Sequence, residues 1–262
     1  MVGIIFNAPL WLTGTVLVLG FSGFALGAQR VIRRWIMPRF HMRPHESEYP
    51  STIIASVMVF YGLVAALVAI TVWERHTLVA ERVSGEASAV ASVWRDLGGY
   101  PAPERDALRD MLRGYTEYLI QDAWPEYRKG RVPAEGVDWL DRFQERLLTF
   151  EPTSESLKIL HAETLRSYNQ MILVRRLRLD AVGTGLPGLI WMLVIAGAMI
   201  SIFVSLLFPV EDGPYQSVMA VSLAALIALV ILVILGLDQP FRGDLGVSPE
   251  SFRLIHDHLM MR

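Results

Sequence analysis

Residues 52–73 read Thr-Ile-Ile-Ala-Ser-Val-Met-Val-Phe-Tyr-Gly-Leu-Val-Ala-Ala-Leu-Val-Ala-Ile-Thr-Val-Trp. No side chain in this stretch is charged, and a helix of about 20 such residues crosses the roughly 30 Å hydrocarbon core of a bilayer. Three further stretches qualify on the same count: about Leu10–Ala28, Leu186–Phe208 and Ser217–Leu237. Their polar residues are Ser, Thr, Tyr, Trp and the like, which a neighbouring helix or the interface can satisfy. Trp11, Trp73 and Trp191 lie near the ends, where aromatic residues favour the membrane–water boundary. The reading is an all-α membrane protein of four transmembrane helices.

Composition agrees. Of 262 residues, 53% are hydrophobic and only 19% charged, below the quarter usual in soluble domains. Residues 1–29 carry no charged side chain and the basic cluster Arg30, Arg33, Arg34 follows the first apolar run, so that run reads as an uncleaved span rather than a signal peptide. The absence of cysteine excludes disulfides, thiolate metal sites and thiol nucleophiles. A net charge of −2 argues against a nucleic-acid partner.

Between the second and third spans lies an insert, 74–185, which holds 16 of the 24 Lys+Arg and 18 of the 26 Asp+Glu. Its apolar residues recur at helical spacing over 76–97, 104–123, 135–150 and 154–180. Gly98-Gly99-Tyr100-Pro101-Ala102-Pro103, Lys129-Gly130-Arg131-Val132-Pro133 and Glu151-Pro152-Thr153 break the pattern. The insert is therefore expected to be an extramembrane helical bundle, its first helix continuing the second span. The organisation expected is a first transmembrane pair, 1–73, with a basic connecting loop at 30–50; the bundle, 74–185; a second pair, 186–237; and a C-terminal tail, 238–262.

Small residues recur every fourth position at Gly23 and Gly27, at Gly197, Ser201 and Ser205, and at Ala220, Ala224 and Ala228. Such stripes let helices approach closely in lipid, within one four-helix unit or between subunits. Arg175, Arg176 and Arg178 before the third span, like Arg30, Arg33 and Arg34 after the first, read as headgroup anchors that could also concentrate anions. His256-Asp257-His258 and the pair His41 and His45 have metal-ligand residue types, but i and i+2 diverge on a helix and no partner ligands accompany them. The expectation is a solvated tail and no metal. Paired carboxylates such as Asp106 and Asp110 lie among arginines on a polar face, no catalytic motif is present, and no enzyme is expected. The spans carry no mid-depth ionisable group of the kind that coupled transporters use.

The fourth span runs into Asp238-Gln239-Pro240-Phe241-Arg242-Gly243-Asp244, then Leu245-Gly246-Val247-Ser248-Pro249-Glu250. Pro240 stops the helix, Gly243 and Gly246 permit tight turns, and Ser248-Pro249-Glu250 reads as the start of a short final helix. This run, with Trp191, the layout of two spans, insert and two spans, and Tyr100-Pro101-Ala102-Pro103 and Tyr118…Ala123-Trp124-Pro125 in the insert, resembles the bacterial bestrophin-like family. That family is similar, more distantly, to the pentameric bestrophin anion channels. The resemblance implies a homo-oligomer in the bacterial inner membrane, a pentamer if the likeness extends so far, passing small inorganic ions, anions by preference. In bestrophins a comparable run leads into consecutive acids that help hold calcium. Here Asp238, Pro240, Phe241 and Gly243 match, but the acids are only Asp244 and Glu250, set apart. Calcium takes six to eight oxygens, so no resident cofactor is expected. If the chain conducts, Ser56, Phe60 and Val64 share one face of the second span, with Phe60 as a hydrophobic constriction; otherwise Phe60 packs or faces lipid. A non-conducting scaffold or sensor, its bundle bound to a partner, is the alternative.

Sidedness divides two arguments. The loop 30–50 carries Arg30, Arg33, Arg34, Arg39 and Arg43 against Glu46 and Glu48, whereas the loop 209–216 carries Glu211 and Asp212. Short-loop arginines stay in the cytoplasm, and long insertions count weakly. This puts the termini and the bundle outside; the bestrophin likeness implies the reverse.

Overall fold

The computed structural model describes residues 9–36, 48–207 and 212–261, with residues 48–51 as backbone alone. Arg39, Arg43, Glu46, Glu211 and the His41 and His45 pair lie outside the described residues. Every regular element among the described residues is helical. They are α1 Leu10–Val31, extended by a π-helical turn Ile32–Ile36; α2 Glu48–Leu97; α3 Glu104–Tyr118, continued by a π turn Leu119–Ala123; and α4 Trp124–Arg128. Then follow α5 Glu135–Thr149, α6 Glu155–Leu179, α7 Gly188–Leu206, α8 Gly213–Asp238 and α9 Glu250–Ile255, the last running into a π turn His256–Met260. Four helical segments, Leu10–Ile36, Thr52–Leu97, Gly188–Leu206 and Gly213–Asp238, are long and apolar enough to cross a membrane.

The second is the longest. At 1.5 Å per residue the 50 residues of α2 extend about 75 Å, well over twice the hydrocarbon thickness. The continuation of the second span into the insert is thus one unbroken helix.

The chain forms two compact units: Met1–Glu74 with Gly185–Asp238, and Arg75–Thr184 with Gln239–Arg262. In the first, α1 packs chiefly on α8. Gly14 receives the Leu232 side chain so closely that a Cβ there would stand 2.8 Å from Leu232 Cδ2. Ala220, Ala224 and Ala228 are buried, and the Tyr61 ring lies against Gly197. The stripes of α7 and α8 therefore serve packing inside the chain. Gly20, Gly23 and Gly27 differ: no atom lies within 4 Å of where their Cβ would be.

In the second unit Val79, Val83, Val90, Leu108, Leu112, Leu140, Phe143, Leu147, Tyr168 and Met171 form the core. Ser154 caps α6 by accepting the Leu157 N–H at 3.2 Å. The tail from Gln239 belongs to this core, since Phe241, Phe252 and Met260 are each 2% exposed or less. The expectation of a solvated tail is corrected. The apolar spacing Phe252, Ile255, Leu259 gives the tail a buried stripe, and burying it outweighs the cost of ordering a chain end.

Candidate functional site

Three groups of residues are candidates: one face of the second span, the turn after the fourth, and the arginine clusters.

On α2, Ser56 is exposed, Phe60 is 69% exposed and Val64 is half-buried. The Ser56 hydroxyl donates to the Thr52 carbonyl at 2.8 Å, which spares it the cost of an unpaired donor in an apolar setting. Val59, Leu63, Leu67 and Ile70 are exposed on the same helix, more than half of each side chain lying uncovered. Phe60 is thus not part of the chain's own core. The face it shares with Ser56 and Val64 is available to lipid, to a second copy, or to a pore.

The turn is built from two ends. Asp238, 3% exposed, accepts the Leu186 N–H at 2.6 Å and the Trp191 indole N–H at 3.2 Å. It thereby ties the end of α8 to the start of α7, and a Cβ at Gly185 would sit 3.3 Å from its carboxylate. Pro240 accepts the Val247 N–H at 2.7 Å, closing the loop. Gly243 has φ +69°, the left-handed region that side chains with a Cβ avoid. Phe241 packs edge-on to Trp124 at 5.7 Å between ring centres and against Tyr127 at 6.0 Å. Trp124 Nε1 donates to the Val247 carbonyl at 3.1 Å. Every consensus position of the run is accounted for by local architecture.

The acids near this turn do not assemble a calcium cage. Both Asp238 oxygens take N–H donors, Glu250 lies 3.8 Å from Arg253, and among the described residues no three of His, Asp and Glu come together in a metal-holding group.

The arginines divide. Arg30, Arg34 and Arg176 are exposed, as anchors should be. Arg33 is half-buried and donates from Nε and Nη2 to Gln216 Oε1, at 3.1 and 2.7 Å. Arg175 Nε donates to the Tyr115 hydroxyl at 3.1 Å. Arg178 departs most from the anchoring expectation, because it is fully buried in the second unit and paired with Glu86, itself fully buried. Its Nη2 donates to Glu86 Oε1 at 3.2 Å, and the Tyr115 hydroxyl donates to the same oxygen at 3.2 Å. The Tyr127 ring centre lies 4.8 Å from its guanidinium carbon and that of Trp124 5.7 Å. Burial opposes the charge on Arg178, but the Glu86 carboxylate more than offsets it and holds the guanidinium protonated. Burial, aided by Glu86, pushes the Tyr115 hydroxyl well above its ordinary value.

Sequence reasoning missed this pair, yet a signal was there. Val79, Val83, Glu86 and Val90 recur at helical spacing, so an acid occupies a core position of an apolar stripe. A buried acid requires a cation, and Arg178 supplies it.

His256 and His258 do not form a metal pair. The His256 ring lies 2.8 Å from Asp257 Oδ1 through Nδ1 and 3.1 Å from Glu117 Oε1 on α3 through Nε2. The Asp257 hydrogen bond first, then Glu117, raise its pKa against the effect of burial.

A family model described as the Bestrophin-like domain matches residues 19–252. No curated protein and no solved structure matches the chain.

Proposed function

The chain belongs to the bestrophin-like family and is a multi-pass membrane protein; from that premise we propose that it is a homo-oligomeric, passive ion channel of the inner membrane with a preference for anions. The family is related to channels rather than to enzymes. The observation that carries the reading is the chemistry of the spans. Between Thr52 and Trp73, and along α7, no residue is ionisable, and in α8 the sole ionisable residue is Asp238 at its end. Without a mid-depth acid there is no carboxylate ring to select cations and no relay to couple transport to protons.

In this reading the Ser56, Phe60 and Val64 face lines the path, with Phe60 as the constriction, and copies of the chain surround a common axis. Exposure of Phe60 in the single chain supports that assignment, since a pore-lining side chain is free of its own subunit's core. The short-loop arginines orient the termini and the bundle outward.

The test is release from proteoliposomes, with halide and potassium measured separately. Faster halide release supports the channel. The absence of any flux supports a non-conducting scaffold instead.

A further inference from the structure

We propose that the end of the spanning unit nearest Arg33 is a binding site for one phospholipid with an anionic headgroup. A groove of about 320 Å³ opens between α7 and α8, walled by Leu206, Ala220 and Leu223, with Met219 and Tyr215 at its rim, each 57% exposed. Such a trough in a membrane-spanning unit takes an acyl chain.

Gln216 lines the same groove and closes its polar end. It is 5% exposed, and its Oε1 accepts both Nε and Nη2 of Arg33, which fixes the guanidinium plane. Gln29, 6% exposed, donates to the same oxygen at 3.4 Å and accepts from the Ser217 hydroxyl at 2.8 Å. The cationic group is therefore held by a buried polar network rather than left to wander. Arg30 and Arg34 add two exposed cations at the same end of α1, one helical turn apart. Among the described residues of this end the acid facing them is Asp212, whose carboxylate accepts the Tyr215 N–H at 3.4 Å.

An apolar trough joined to a fixed positive charge is complementary to an amphiphile that is negative at one end. A zwitterionic lipid fills the trough without answering the charge, and free phosphate answers the charge without filling the trough. Each arginine near an anionic headgroup favours it by about fivefold. The site is independent of conduction.

The test uses the full chain in detergent, given phosphatidylglycerol, phosphatidylcholine or inorganic phosphate. Retained lipid is counted by native mass spectrometry and the melting temperature is recorded. Phosphatidylglycerol is expected to be retained and to raise the melting temperature, with phosphatidylcholine retained about fivefold less or weaker still. Met219→Trp, at an exposed rim position, fills the trough and should abolish retention. Arg33→Gln should keep lipid but erase the headgroup preference; should that variant not fold, Arg30→Gln with Arg34→Gln should narrow the preference. Equal retention of the two lipids by the unaltered chain, undiminished retention in Met219→Trp, or a shift reproduced by phosphate alone overturns the proposal. So does a change of oligomeric mass in Met219→Trp with lipid still bound, which would assign the groove to a second copy.

Discussion

Phe241 sits where three aromatic rings meet, 1% exposed, and no smaller side chain fills that space. Phe241→Ala should lower unfolding stability by about 3–5 kcal/mol, the cost of emptying a fully buried aromatic site; a loss below about 1 kcal/mol in a denaturant titration would show that the turn is not a packing anchor. His256 makes a pH-dependent contribution whose sign follows from its surroundings. It faces Glu117 and Arg113 from α3 and Asp257 from its own turn, and Arg113 Nε donates to the Met260 carbonyl at 3.2 Å. Its pKa in the folded chain is raised, so the stabilisation is complete below about pH 6.5 and is lost as pH climbs through the folded value. The melting-temperature gap between the unaltered chain and His256→Gln should accordingly shrink from mildly acidic to alkaline pH. A gap that widens contradicts the assignment. The role of Phe241 as an anchor was legible in the sequence because Pro240, Gly243 and Gly246 announce a tight turn. The partners of Asp238 were not, since Leu186 and Trp191 lie some fifty positions away and nothing local points to them.

The elements themselves were legible because each obeys one rule at a time: uniform apolarity for the spans, helical periodicity for the bundle, and Gly or Pro at the joints. Tertiary needs decided what was not. The tail folds into the second unit because Phe252 and Met260 complete its core, a fact visible only once α4 and α6 are in place. The π turns Ile32–Ile36, Leu119–Ala123 and His256–Met260 have no sequence signature that we can identify. The α2–α6 pair Glu86 and Arg178 makes its own prediction. Removing one partner leaves a buried charge unanswered, so Arg178→Met alone should cost about 3–5 kcal/mol. Glu86→Leu with Arg178→Met together should cost clearly less than the sum of the single changes, because the pair's net worth is small once both charges are gone. Additive losses in a double-mutant cycle would show that the two residues act separately and that Tyr115 and Arg175 carry the network.

At the scale of the whole molecule the claims concern sidedness and conduction. Four spans put both termini on one side, and the arginine-rich short loop places that side outside the cell. In this cysteine-free chain, Glu135→Cys should react with an impermeant maleimide in intact cells while Pro44→Cys stays protected; the opposite pattern would put the bundle in the cytoplasm, as the bestrophin likeness implies. The face Ser56, Phe60, Val64 could be named from spacing alone, but what lies opposite it belongs to the assembled oligomer, which one chain's residues do not encode locally. Ion preference follows from the uncharged spans and is the central claim. Its most direct test is the reversal potential of the reconstituted protein in a planar bilayer under a potassium chloride gradient. A potential displaced toward the chloride equilibrium value is predicted; one displaced toward the potassium value would contradict the account.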